Sequence, residues 1–281
     1  MSTNKVALRS VEQFMTGYTP VYRPMYPLFL GGATVYAEQV GELSFKRVDA
    51  LSDIRAKRVT PKDTELQLVS VRESSKTFKK YFLANKFVYS NLQDAQGLQD
   101  VPAQVLDEHQ KQWDELLLGD SVNSGLYTSS DSNYTLKSSA TVAAGSAADH
   151  LVDLQTKIMA TKAEAEALAG EKALIVYGTT ALSKLDSVYA SAPVAFRTVL
   201  EQTLQGISVV RMPSAITPAN VNGWIMVNMS QIKVHHCGLP KLAGSGVNEE
   251  HLYAWFNFMM GSSMVEVLAA GGIIRQPVTF A

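Results

Sequence analysis

DVPAQVLDEHQKQWDELLLG, residues 100–119, is the stretch whose reading decides how the rest of the chain is arranged. Asp100 can cap the first free amides, Pro102 sits in the first turn where no donor is needed, and Gly119 can take the left-handed conformation that ends a helix. Val105, Leu106, His109, Trp113, Leu116 and Leu117 recur at three- and four-residue steps on one side. Asp107, Glu108, Lys111, Asp114 and Glu115 take the other. The pattern predicts one amphipathic helix, a rod of roughly 28 Å that can serve as a spine.

Upstream of it, ATVYAEQVGELSFKRV (33–48) and TELQLVSVR (64–72) are rich in strand formers, and the polar segment between them predicts a long hairpin. Its tip, residues 46–63, holds Lys46, Arg47, Arg55, Lys57, Arg58 and Lys62 against Asp49, Asp53 and Asp63, a net charge of +3. A ribbon with so polar a tip cannot bury both faces at home and is expected to lie on another surface. Residues 1–32 set Pro20, Pro24 and Pro27 among Tyr18, Tyr22, Tyr26 and Phe29, which suits an extended arm with no core of its own, held by a neighbouring chain. TFKKYFLANKFVY (77–89) reads as a strand or short helix leading into the spine.

Downstream, a Ser-, Gly- and Asn-rich stretch of turns and short strands leads to a second helix, Ala148 to Leu168. ALIVYG (173–178) reads as a buried strand, 179–188 and 193–204 as helices, ISVVRMP (207–213) as a strand, and 222–237 as one or two more. That alternation predicts a mixed sheet covered by helices, so the fold class is α+β with an α/β module. LPKLAGSGVNEE (239–250) reads as flexible, and the closing stretch 251–280 as strands broken at Gly261 and at Gly271-Gly272.

The 281 residues, 46% of them hydrophobic, can bury a large core, which excludes global disorder. A net charge of −1 leaves no overall field towards nucleic acid or an anionic membrane. The single cysteine, Cys237, excludes an internal disulfide and a multi-cysteine zinc site; with no leader-like or membrane-length apolar run, the expectation is a cytosolic chain. His235-His236-Cys237 offers ligand and nucleophile chemistry, but neighbouring strand residues face opposite ways and no further ligand follows at a metal-site spacing. A strand end with a buried thiol is the expectation there, and structural roles for His109 and His150. The nucleophile elbow and the phosphate-binding loop are both absent. Tyr253, Trp255, Phe256 and Phe258 are expected in a core, since no Lys or Arg interleaves with them.

Arm, hairpin, a spine helix closing in LLLGD, a GLYTSS segment, a second helix, a module opening with ALIVYG and a terminal block GGIIRQPVTF follow one another in an order that resembles the major capsid protein of tailed bacteriophages. The match is best over 107–127 and 251–280. The resemblance implies the Hong Kong-97-like fold, with 1–32 as N-terminal arm, 33–72 as extended loop, 73–171 and 245–281 as peripheral domain, and 172–244 as axial domain. It implies a non-enzymatic protein that assembles with itself, as hexamers and pentamers, into an icosahedral shell enclosing double-stranded DNA, formed in the host bacterial cytoplasm and residing in the virion. Scaffold, portal or decoration proteins would be further partners, and no cofactor, metal or membrane is implied. Residues 91–169 carry twelve acids against four lysines, a net charge of −8. The expected contacts between subunits therefore set Lys46, Arg47, Arg55, Lys57 and Arg58 against Asp107, Asp114 and Glu115, with Tyr18 and Tyr22 contributed by the arm. A bacterial protein compartment of the same fold is the alternative, and an α/β enzyme using Cys237 or His235 the second.

Overall fold

The spine forms as α1 (Val101–Leu118) in the computed structural model. The structure describes residues 23–48, 73–90, 101–128, 131, 133–142, 156, 160, 161, 163, 170–191, 198, 204–212, 221–248 and 253–280. Trp113 and Leu117 are fully buried, and Leu116 and Leu118 nearly so. Gly119 ends the helix with φ 113°, and the chain turns back so that the amides of Leu126 and Tyr127 bond the otherwise unpaired carbonyls of Leu117 and Leu118. A β-carbon at Gly119 would meet the Thr128 hydroxyl at 2.1 Å. The expected cap, Asp100, lies outside the described residues.

Fourteen strands are described: β1 (Thr34–Val35), β2 (Gly41–Val48), β3 (Glu73–Lys80), β4 (Phe82–Ser90), β5 (Tyr134–Leu136), β6 (Ala140–Val142), β7 (Lys172–Tyr177), β8 (Ile207–Arg211), β9 (Gly223–Asn228), β10 (Ile232–His236), β11 (Lys241–Asn248), β12 (Tyr253–Gly261), β13 (Ser263–Val267) and β14 (Ile273–Phe280). A six-stranded sheet runs β5-β14-β9-β7-β8 with β6 beside β14. It is mixed, because β7 pairs β8 in parallel and β9 antiparallel. Both faces of β7 are covered, which is why its sequence is continuously apolar. Ala173, Ile175 and Tyr177 join the main core beneath α1, whereas Leu174 and Val176 pack with Ala181 and Leu185 of α2 (Thr179–Ser191). Two three-stranded sheets, β1-β10-β13 and β11-β12-β4, flank α1, and Phe256 and Phe258 of β12 meet its Val105 and Leu106.

Four expectations are corrected. The hairpin pairs β2 with β3, Gly41 opposite Lys80 and Val48 opposite Glu73, so the strand opposite Gly41–Val48 is Glu73–Lys80 and not the 64–72 segment expected there. ESSKTFKK carries too little apolar alternation to announce itself, and 49–72 lie outside the described residues. The glycine-rich 239–250 contains β11, a full strand paired to β12, and the expected boundary at 244/245 falls inside it. Its glycines make room for an indole: a β-carbon at Gly246 would sit 2.7 Å from the Trp255 Nε1. The end of the arm is a short 3-10 helix, Tyr26–Gly32, whose Tyr26 and Phe29, with Met25 just before it, are buried in the chain's own core. Finally, β14 belongs with β9 in the large sheet, so the terminal stretch feeds the flanking sheets and the α/β module alike. Most of the expected second helix, and of 193–204, lies outside the described residues.

Trp113 joins these parts: its Nε1 donates to the Gly238 carbonyl at 3.0 Å, and its ring lies 4.7 Å from that of Tyr26. Trp113→Ala is expected to cost the subunit ~3–5 kcal/mol, read as a lower urea midpoint or as insoluble protein. An unchanged midpoint would show that the indole carries no packing.

Candidate assembly surfaces

The hairpin leaves the body through a built elbow. Between β3 and β4 the chain breaks register at Tyr81, and side chains take over the role of a neighbouring strand. Asn123 accepts from the Lys79 amide at 3.0 Å and donates to the Lys79 carbonyl at 2.9 Å. Ser262 donates its hydroxyl to the same carbonyl, accepts from the Tyr81 amide, and gives its own amide to the Tyr81 carbonyl. The Tyr81 hydroxyl donates to Asp120, whose other oxygen accepts from the amides of Val122 at 2.7 Å and Asn123 at 2.5 Å. Burial, reinforced by that carboxylate, pushes the Tyr81 phenol far up. An elbow with this many directed bonds fixes the direction in which the hairpin points.

The other side of the hairpin root is apolar. Phe78 is fully buried with Cys237 and Met264, and Phe45 stacks on the His235 ring at 4.8 Å. His235 is held at both nitrogens, by the Tyr36 hydroxyl at 2.9 Å and by Glu266 at 3.0 Å. The Cys237 thiol is free and buried against the Tyr81 carbonyl and Ser262. His235 and Cys237 therefore share one face and anchor the hairpin, while His236 faces the other way, edge-on to Trp113. Among the described residues no three His, Cys, Asp or Glu side chains gather as a metal site would require. No described helix is long and apolar enough to cross a membrane.

A second device clasps the end of the arm. Asp114 is fully buried, and its two oxygens accept from the amides of Met25 and Tyr26, each at 2.8 Å. The carboxylate thus caps a short helix 88 and 89 residues upstream, where free amides and the helix dipole both favour negative charge. This corrects its expected place on the polar face and removes it from the surface acids. Nothing local in the sequence marks it, since its partners are backbone groups of the arm.

No family model and no curated protein matches the sequence. Solved structures do match. The capsid of cyanophage P-SCSP1u superposes with a TM-score of 0.60 over 100% of this chain and 93% of that one, at 11% identity. The structure titled Mycobacterium phage Bobi superposes at 0.58 over 98% and 99%, also at 11% identity. This is the capsid fold of tailed bacteriophages. A virus-like particle from Pyrococcus furiosus matches as well, at 0.52 over 87% and 89% with 14% identity.

On this Hong Kong-97-like capsid fold, Lys46 lies exposed on β2 opposite Ser75, and Arg47 sits on the same strand opposite Ser74. Asp107 is half-buried and Glu115 exposed on α1; partial burial raises the Glu115 carboxyl, with Lys111 acting against the rise and Glu108 adding to it. Arg55, Lys57, Arg58, Tyr18 and Tyr22 lie outside the described residues. Phe256 and Phe258 are core, as expected, while Trp255 is half-buried beneath Lys86 of β4, 5.1 Å from its ring. That cation comes from another strand, so a scan along the aromatic cluster misses it.

Asp114→Ala is expected to strand two amides at ~1–3 kcal/mol each and to speed hydrogen exchange at Met25 and Tyr26. Burial lowers the imidazoles of His109 and His236, so the stability each contributes is present above about pH 6.5 and is lost as pH falls through the depressed folded value. Urea midpoints of the subunit should therefore drop on acidification, and His236→Phe should flatten that drop. An equal slope in the variant would assign the acid sensitivity elsewhere.

Proposed function

We propose that this chain is a capsid subunit whose copies assemble, as hexamers and pentamers, into an icosahedral shell around phage double-stranded DNA, without catalysis. The observation that carries the reading is the β2–β3 hairpin. Among the described residues it is a two-stranded sheet with no further strand on either edge, yet it departs from a rigidly built elbow. A two-stranded ribbon is marginal in water by itself, so a root this well ordered is best explained by a surface on which the hairpin comes to rest. The tip carries +3 and residues 91–169 carry −8, which suits that surface being the spine region of the next copy. With Asp114 internal, Asp107 and Glu115 are the acids of the original set left to meet Arg55, Lys57 and Arg58. Each exposed pair contributes only ~0.2–1 kcal/mol, but repetition around every capsomer steers copies into register.

The burial of His235 and Cys237 beneath Phe45 and Phe78 gives them a packing role and weighs against an enzyme built on them. The virus-like particle of Pyrococcus furiosus keeps a second reading in view, a protein compartment of the same fold. Nucleic acid content of purified particles separates the two.

Wild-type protein is expected to sediment as large particles, and a monomer at all concentrations would overturn both shell readings. Arg55→Glu, Lys57→Glu and Arg58→Glu together should give folded subunits that fail to assemble, partly rescued by reversing Asp107 and Glu115. Normal assembly of the triple variant across a salt titration would refute the electrostatic contact and leave the hairpin to apolar packing.

A further inference from the structure

Arg275 of β14 is a cation held in place by aromatic rings and neutral oxygens. Its Nε donates to the Tyr177 hydroxyl at 3.3 Å, one terminal nitrogen to the Tyr127 carbonyl at 3.2 Å, and the other to the Tyr127 hydroxyl at 2.5 Å. The guanidinium carbon lies 3.6 Å from the Tyr127 ring centroid and 5.9 Å from that of Tyr177. Tyr134 stands beside it, its hydroxyl donating to the Tyr127 carbonyl at 2.9 Å. Burial pushes the Tyr134 phenol up to about 12 and raises that of Tyr177, so neither supplies a negative charge near neutral pH. No carboxylate among the described residues lies within ion-pair distance of Arg275.

This half-buried charge forms one wall of a cavity of about 430 Å³ open to solvent, with Ser121, Ser124, Thr128 and Tyr134 among its lining. Asp120 also borders it, but both its oxygens are engaged by the elbow. Leu136 and Val122, 59% and 46% exposed, stand at its rim. A cation taken partly out of water and oriented by a fixed frame, with hydroxyls around it and no acid of its own, is a receptor for an anion. The planar fork, with only three of its five N–H groups used in these bonds, matches a carboxylate.

We propose that this cavity binds a carboxylate, the side chain of an Asp or Glu from a neighbouring copy of the chain, with Arg275 as its partner cation. The proposal rests on the self-assembly reading above. Residues 91–169 carry −8 in the sequence, which disfavours a polyanion such as DNA, whereas a single carboxylate matches the one guanidinium that lines the cavity. A sequence with 26 acids, repeated in every copy, supplies the occupant.

The test places the photo-cross-linker p-benzoylphenylalanine at Leu136 and irradiates particles assembled from a mixture of ¹⁴N- and ¹⁵N-labelled subunits. Mixed-isotope cross-links to a peptide containing Asp or Glu are the expected result. Replacing that acid with Asn and making Arg275→Lys should each lower the salt concentration for disassembly by about twofold, and the double variant should fall no further. Cross-links confined to single subunits, or to DNA, would overturn the proposal, as would additive effects of the two substitutions. The cross-linking arm leaves Arg275 intact and so stands even if its variants fold poorly. Wild-type protein that forms no particle would instead sink the shell reading and this partner with it, whereas particles without the cross-link sink only the carboxylate site.

Discussion

Burial of the Trp113 indole is the contact on which the rest of the structure depends. One face of its helix has to be covered, and the covering comes from the end of the arm at Tyr26, from the strand end at His236 and from the carbonyl of Gly238. Tyr26 belongs to the end of the arm, and His236 and Gly238 to the end of β10 and the residues just past it, so a single side chain sets the relative positions of arm, spine and the β1-β10-β13 sheet. The hydrogen bond to Gly238 settles which way the indole points, because a buried N–H without an acceptor is costly.

From that centre the order propagates outward by polar contacts of unusual directness. Asp114, next in sequence to Trp113, reaches around to the arm, while Asp120 and Asn123, just past the helix end, reach the hairpin elbow. One helix and the few residues after it therefore hold both the described end of the arm and the root of the hairpin. The core is packed, and the described end of the arm and the root of the hairpin are hydrogen-bonded to it in defined directions.

Chemistry-bearing residues have been drawn into this architecture. His235 sits between the Tyr36 hydroxyl and Glu266, an arrangement that in an open cleft would suggest catalysis, yet Phe45 lies on its ring and the side chain is buried. The thiol of Cys237 is likewise sealed by Phe78 and Met264. Arg275 differs in kind, because its frame is as elaborate but opens on a cavity.

By itself the sequence determined what depends on neighbours along the chain. The three- and four-residue recurrence from Val105 to Leu117, the stop at Gly119 and the apolar run ALIVYG each express local burial, and each becomes the expected element. The alternating directions of His235, His236 and Cys237 were legible for the same reason, since a strand turns its side chains with a period of two. Only the tertiary structure decided which distant group each polar atom would meet. Asp114 lies on the polar side of its helix by spacing and is buried because two arm amides need it. Gly244 and Gly246 read as flexible until Trp255 is seen lying across them. The strand opposite Gly41–Val48 is Glu73–Lys80, although ESSKTFKK has little strand composition of its own. Periodicity records how much of a residue is buried, whereas pairing partners are chosen by the whole fold across tens of residues, and no short window of sequence carries that information.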